Sequence, residues 1–570
     1  MREPQAHQQQ IFEAAIAHFE AGRFETAADA CRRVLAQEPT HPHALHMLGL
    51  ISAEQGQVEE GLALLERAVA TGVVHPAIYH IHGNLLLRLG RNAEAATSLH
   101  RSLQIDPAQP RVAQLLGVAL SRTGHHKEAE QVLREAVARW PRDARLLDAL
   151  GMACMAAGRY ADAGAPLEQA LAADADFPEA YGNLAVVYEQ SNRHGEAARL
   201  VQEGLVRWPG HGTLQLIAAR LARRAGDDRL ARERLLALQI QSNLMPALKR
   251  DVEFELGWCA DGLGDTDAAM RHFSAAKLQA QALATPSDEL RNIYPRQVEG
   301  LLKLFGGPVS PAPSAVVRPL PSFLLGFPRS GTTLLDTMLD AHGGFTVMEE
   351  RPSIQAMLDT YLAAGLNYPA DLPRMTPEIG TRLRAAYFRV CREAGWDGSR
   401  PLIDKSPFAS THAGLIQQIF PGAPLVFLAR HPCDVVLSCF MNNFEFNSGT
   451  VHFTRLDTTV RLYCDAMALW LLYLERLPLH HIMLRYEDLV TRPEEELRRL
   501  LDFLQMPWSP SVLDHAAQAL RRGRIPTPSY QQVSRPLYQN AMDRWRRYAA
   551  YLEPYLPALM PYIRAFGYAA

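Results

Sequence analysis

Small and apolar residues follow two different rhythms along this chain, and the change of rhythm divides it. In the first half Gly22, Gly56, Gly90, Gly124 and Gly158 recur every 34 residues, and the same slot returns as Asn192, Gly226 and, after a short insertion, Gly264. A second series runs in step: Gly49, Gly83, Gly117 and Gly151, with Ala27, Gly61, Ala95, Ala129, Ala163, Ala197, Ala231 and then Ala269. Pro39, Pro107, Pro141 and Pro209 close several units. Paired helices approach closely only where a side chain is nearly absent, so the spacing predicts a repeated helix-turn-helix whose turn uses the Gly22-type slot. From Phe323 onward, short β-like runs (Phe323–Leu325, Pro401–Ile403, Leu425–Leu428 and His481–Leu484) alternate with helical stretches. Such alternation predicts a mostly parallel sheet covered by helices, with ligands at the carboxyl ends of the strands.

A 34-residue helix-turn-helix of this kind resembles the tetratricopeptide family over residues 8–282. The resemblance implies an all-α solenoid with a concave face. A partner-binding arm for a protein or peptide and a spacer or dimerisation element are both compatible with it. His41, His43 and His46 sit at a repeat junction without accompanying Cys or carboxylate residues, which favours a polar junction over a metal site. Between Leu283 and Pro321 the repeat stops; a short helix is expected from Asn292 to Phe305, followed by the semi-rigid run Gly306-Gly-Pro-Val-Ser-Pro-Ala-Pro313. The chain therefore reads as multidomain: solenoid 8–282, Pro-rich linker 283–320, and an α/β P-loop-like domain 321–570.

Composition narrows the setting. A formal net charge of -3 over 570 residues argues against bulk nucleic-acid binding. Cys31, Cys154, Cys259, Cys391, Cys433, Cys439 and Cys464 are scattered and odd in number, which suggests neither a disulfide framework nor a zinc site. The polar start, Met1-Arg-Glu-Pro-Gln-Ala, shows no signal-peptide pattern, and no stretch approaches the apolar length of a membrane span. A cytoplasmic location is the resulting expectation.

The chemistry concentrates after the first strand. Gly326-Phe-Pro-Arg-Ser-Gly-Thr-Thr333 lies between an apolar run and a helix whose apolar side is Leu334, Leu335, Met338 and Leu339. A tight turn there aims backbone N–H groups and a helix dipole at an anion. A nucleoside triphosphatase places lysine where Thr332 stands; Arg329 instead lies inside the loop, so the group held reads as a 5′-phosphosulfate rather than a triphosphate. After Leu425–Leu428 comes Ala429-Arg-His-Pro-Cys-Asp-Val-Val-Leu-Ser438, in which Pro432 and Asp434 suit a first helical turn. Arg430 and Ser438 could reach one phosphate, and Arg430 stands where many triphosphatases carry a magnesium-binding aspartate, so no metal is expected.

Together the loops at Pro328–Thr333 and Arg430–Ser438 resemble the sulfotransferase family over roughly residues 320–568, closest to its tyrosylprotein branch. Matching stretches are Pro328–Leu334, Met338–His342, Glu349-Glu350, Lys405–Phe408, Tyr486–Leu489, and Ser529 through Gln532, Val533 and Pro536 to Arg544-Trp545. The resemblance implies 3′-phosphoadenosine 5′-phosphosulfate as co-substrate and a hydroxyl acceptor, protein tyrosine among the candidates. It implies Glu350 as general base, with Arg329, Lys405 and Ser529 stabilising charge on the transferring group. It further implies Ser330, Gly331, Thr332 and Thr333 on the 5′ side, Arg430 and Ser438 at the 3′-phosphate, and Tyr486 against adenine. The segment Ser529–Tyr538, with Arg544, would close over the nucleotide; Trp545 reads as packing. The chain also departs from the branch. Val347 or its neighbour and Ile403 stand where secreted relatives carry a disulfide, Arg351-Pro352 replaces an arginine spacing, and Asn442 stands where the family has another cofactor arginine. The rival readings are a P-loop kinase and a non-catalytic repeat scaffold with a degenerate enzyme domain.

Overall fold

The computed structural model describes residues 2–241, 244–308, 318–521 and 542–569. Among them, seventeen α-helices precede the first strand. The chain folds into two compact units, Met1–Ile217 and Ala218–Ala570.

In the first unit helices pair as the small-residue spacing requires. Pro76–Arg88 packs on Asn92–Ile105, and Pro110–Arg122 packs on His126–Arg139. A Cβ at Gly83 would meet Leu99 Cγ at 2.6 Å, and one at Gly117 would meet Leu133 Cγ at 2.6 Å, so these crossings tolerate only hydrogen. Ala27, Ala95, Ala129, Ala163 and Ala197 are fully buried at the complementary positions. The turn slot is equally specific: Gly22, Gly56, Gly90, Gly124 and Gly158, and Gly226 and Gly264 of the second unit, all have positive φ, and Asn192, in the same slot, has φ 62°. Asn is among the few residues that accept this left-handed conformation at low cost. Prolines open several first helices, where the missing N–H has no intrahelical partner in any case.

The second unit begins with helices that continue the repeat spacing, including Pro246–Gly262 and Thr266–Ala284. The helix expected over 292–305 runs longer, from Asp288 to Gly306, and buries Tyr294, Val298, Leu301 and Phe305. Its packing partner is helix Leu456–Arg476, where Phe305 meets the Tyr473 ring edge-on at 4.9 Å. Burying four large apolar residues gives this stretch a reason to stay helical beyond its weak local pattern.

Five parallel strands follow: β1 (Ser322–Gly326), β2 (Thr346–Glu349), β3 (Leu402–Lys405), β4 (Leu425–Ala429) and β5 (His481–Arg485). Their order is β2-β3-β1-β4-β5, with all four neighbouring pairs parallel. Strand β2 was not legible as an apolar run. From β1 the chain crosses to the β2/β3 side and then returns to β4 on the other side. The connections thus diverge beside β1, the place where open α/β sheets form a crevice at their strand ends.

Candidate active site

The site is assembled at the carboxyl ends of β1, β3 and β4. After β1, Ser330 Oγ donates to the Phe327 carbonyl at 2.6 Å and accepts from the Phe327 N–H at 3.1 Å, closing the loop on itself. Gly331, at φ 98°, caps helix Thr332–Ala341, one residue from the start expected near it. The Tyr486 ring lies directly against Gly331, where a Cβ would collide with it. Thr332 and Thr333 are buried on the first turn of that helix.

Arg329, Arg430 and Ser438 come together. Arg329 Nε donates to Ser438 Oγ at 3.1 Å, and Arg430 Nη1 donates to the Arg329 carbonyl at 3.0 Å. Both arginines are buried, and the Arg430 guanidinium covers the Tyr486 ring at 4.9 Å from its centroid. Tyr486 is thus framed by Gly331 and Arg430. Asp434 does not spend its carboxylate on the turn before it; it accepts from the backbone N–H groups of Asp543 at 3.0 Å and Trp545 at 2.8 Å. Burial pushes its pKa up, against the pull of Arg430. Trp545 packs as expected, stacked on His431 at 4.9 Å.

Lys405 and Glu350 meet on the other side of β1. The Lys405 ammonium is fully buried and lies 2.8 Å from Glu350, 2.9 Å from Glu349 and 3.4 Å from Asp336. Burial would lower its pKa, but Asp336, Glu350 and Glu349 overcome that and the net shift is upward. Asp404, next to Lys405 in sequence, points to the opposite face of β3 as strand alternation demands. There it accepts from Ser353 Oγ at 2.6 Å and the Tyr387 hydroxyl at 2.9 Å, and burial raises its pKa to about 6. Arg329 and Glu350 both adopt positive φ, 71° and 47°, an uncommon strain for non-glycine residues that clusters at functional sites.

Arg544 joins this neighbourhood through Asp434, whose carboxyl pKa its charge pulls down. Its guanidinium covers the Trp258 ring at 5.5 Å and lies 3.9 Å from Asp261, while its neighbours bind Asp434. Ser529, with the stretch expected to cover the nucleotide up to Tyr538, lies outside the described residues. Val347 and Ile403 are register partners on β2 and β3. Asp336 was not singled out in the sequence, and Glu349 entered only as part of the matching pair Glu349-Glu350 with no role of its own, since an isolated acid in a helix or at a strand end carries no sign of a distant ammonium. Among the described residues, no group of three or more His, Cys, Asp or Glu is placed to hold a metal ion, and no helix is long and apolar enough to cross a membrane.

Residues 321–510 match the model of the sulfotransferase family. The second half of the chain carries a sulfotransferase-family domain. Residues 18–85, 86–152 and 155–207 match a tetratricopeptide repeat model, so the repeat region and this domain share one chain. An uncharacterized protein of Aquifex aeolicus is 28% identical over 424 residues, covering 67% of this chain and 55% of that protein. Protein-tyrosine sulfotransferase 1 of Danio rerio is 29% identical over 244 residues, covering 39% of this chain and 64% of the relative. Its Homo sapiens counterpart is 29% identical over 245 residues, covering 39% and 62%. The chain thus spans between 55% and 64% of the length of these curated relatives. Among solved structures, a tetratricopeptide repeat protein from Parabacteroides merdae is similar at TM-score 0.38 and 14% identity, covering 44% of this chain and 98% of that one. The protein-tyrosine sulfotransferases are relatives of the sulfotransferase-family domain, at modest identity.

Proposed function

We propose that this protein transfers the sulfuryl group of 3′-phosphoadenosine 5′-phosphosulfate to a hydroxyl acceptor, protein tyrosine being the acceptor class its relatives' names suggest. The observation that carries this reading is the pair of buried arginines, Arg329 and Arg430, linked through the Arg329 carbonyl at 3.0 Å beside the β1 loop. Two buried guanidinium groups, one from the loop after β1 and one from the loop after the neighbouring strand β4, suit a ligand with two anionic ends. The co-substrate supplies the sulfuryl group. Ser330, Gly331, Thr332 and Thr333 hold its 5′ side through loop N–H groups and the helix N-terminus. Arg430 and Ser438 hold the 3′-phosphate, with Tyr486 and Arg544 completing the nucleotide side.

Glu350 takes the acceptor's hydroxyl proton as the new S–O bond forms. Arg329, Lys405 and Ser529 supply positive charge and a hydroxyl where the old S–O bond breaks, releasing 3′-phosphoadenosine 5′-phosphate. Lys405 engages three carboxylates, of which Glu350 has the most exposed side chain, at 47%. Exchanging that partner for the co-substrate would free the ammonium and the base together. The solenoid, residues 8–282, captures or orients the acceptor or a partner, joined through 283–320 to the domain from 321, in a cytoplasmic protein.

The test is transfer of label from ³⁵S-phosphosulfate donor into acceptors of a lysate, with calorimetric binding of 3′-phosphoadenosine 5′-phosphate beside it. Transfer together with binding supports the reading. Binding of magnesium-ATP without binding of the 3′-phosphorylated nucleotide would replace it with phosphoryl transfer.

A further inference from the structure

A buried ammonium stands next to this site and no step above uses it. Lys277, on helix Thr266–Ala284, is 3% exposed, and its Nζ donates to the Asn442 carbonyl at 2.5 Å. The rings of Phe254, Phe440 and Phe444 surround that nitrogen at 5.5, 6.0 and 5.8 Å. Among the described residues no carboxylate pairs with it. A buried charge without a counter-ion is costly, and aromatic faces with one carbonyl offset only part of that cost.

The place of that carbonyl gives the charge a purpose. Asn442 follows helix Pro432–Met441 directly, and its Nδ2 donates to the Ser438 carbonyl at 2.8 Å. Ser438 Oγ in turn accepts from Arg329. A cation at the carboxyl end of a helix binds its unpaired carbonyls and complements its dipole. The same helix carries Cys439, whose Sγ donates to the Pro328 carbonyl at 3.4 Å, and whose thiol feels Arg329, Lys277 and Arg430 together.

We propose that Lys277 is a positioning residue for the 3′-phosphate: its ammonium clamps the end of helix Pro432–Met441, fixes Ser438 against Arg329, and adds a third buried positive charge near Arg329 and Arg430. This rests on the nucleotide reading above. The counter-ion missing from the protein is then the ligand's own 3′-phosphate, and a helix that continues the repeat spacing helps to build the site.

A second consequence is a pH dependence. Burial lowers the Lys277 pKa to about 7, with Cys439 opposing. From the elements packed around it, helix Pro246–Gly262 presents Phe254, while Glu253 and Glu255 of that helix are engaged with His272 and Gln239 and with Arg220 and Arg223. The turn Thr450–Thr454, which also packs on helix Thr266–Ala284, carries His452, whose charged neighbour is Arg291. The thiol of Cys439 is pushed up to about 12, so of these two contacting groups the lysine is the one nearer neutrality.

The experiment is calorimetric binding of 3′-phosphoadenosine 5′-phosphate and of adenosine 5′-phosphate to the full chain, for wild type, Lys277→Met and Lys277→Arg, at pH 6.5 and pH 8.5. Wild type should prefer the 3′-phosphorylated nucleotide, and Lys277→Met should lose roughly tenfold of that preference, the scale of one charge-assisted contact. The wild-type advantage over Lys277→Met should shrink at pH 8.5, a difference in which the ligand's own titration cancels. Lys277→Arg should keep its preference at both pH values, which tests the idea even if Lys277→Met does not fold. Equal preference in wild type and Lys277→Met, or equal pH dependence in wild type and Lys277→Arg, overturns the proposal. If wild type shows no preference for the 3′-phosphorylated nucleotide, the nucleotide reading itself fails.

Discussion

Glu350 and Lys405 are locked to each other twice: the carboxylate accepts from Lys405 Nζ at 2.8 Å, and the Glu350 N–H donates to the Lys405 carbonyl at 2.8 Å. The main-chain bond extends the β2–β3 ladder by one residue, past Glu349 opposite Lys405. It holds Glu350 at φ 47°, where the side chain meets the ammonium and stays half-exposed.

The Glu350→Gln variant keeps the size and the main-chain bond but cannot take a proton. Turnover should fall by at least about 10²-fold, the usual worth of a positioned general base, with 3′-phosphoadenosine 5′-phosphate affinity nearly unchanged. Steady-state transfer rates and calorimetry on the same preparation check this. A near-normal kcat would remove Glu350 from the proton transfer.

Arg430 acts on both the loop and the aromatic ring, through the Arg329 carbonyl and the Tyr486 face. Arg430→Ala should weaken 3′-phosphoadenosine 5′-phosphate binding by roughly 10²-fold, as expected for a buried charge-assisted contact. Arg430→Lys should recover only part of it, because one ammonium cannot replace a planar fork. Unchanged affinity in Arg430→Ala would place the 3′-phosphate elsewhere.

What could be read in advance follows from the distance over which each signal acts. The Gly22-type slots and the crossings at Gly83 and Gly117 are local demands, and the positive φ values and the short hypothetical Cβ contacts answer them. Strands β1, β3, β4 and β5 announced themselves as apolar runs. Strand β2 is only Thr346-Val-Met-Glu349, too short and too mixed to show, yet it places Glu350. Asp336 and Lys277 look like surface charges in a helix. Their partners lie far along the chain, at Lys405 and Asn442, so only the fold reveals that both are buried.

Asp404 gives the fold a pH signature separate from activity. Its pKa rises from the ordinary 3.8 to about 6 on burial, so folding favours the protonated form. The stabilisation from that proton is complete below about pH 4 and is lost as pH rises through about 6. Asp404→Asn, which has no such proton to lose, should therefore gain on wild type between pH 4 and pH 8, by about 3 kcal/mol at most. Urea denaturation at the two pH values measures this. Parallel changes in both proteins would show that Asp404 does not titrate in this range.

Gly331 meets two constraints at once, and they can be separated. Its φ of 98° is open to glycine at little cost, and its Cα faces the Tyr486 ring so closely that any Cβ collides. Gly331→Ala should therefore lose about 1–3 kcal/mol of stability from the backbone alone, and more from the clash, with nucleotide binding lost as the loop shifts. Adding Tyr486→Ala removes the clash but not the backbone strain. The double variant should lose less stability than the sum of the two single losses, yet still bind 3′-phosphoadenosine 5′-phosphate more weakly than Tyr486→Ala alone. Thermal melts and calorimetry on the three variants give both comparisons. Additive effects of the two substitutions would mean that ring and glycine do not touch, and the framing of Tyr486 between Gly331 and Arg430 would fall with them.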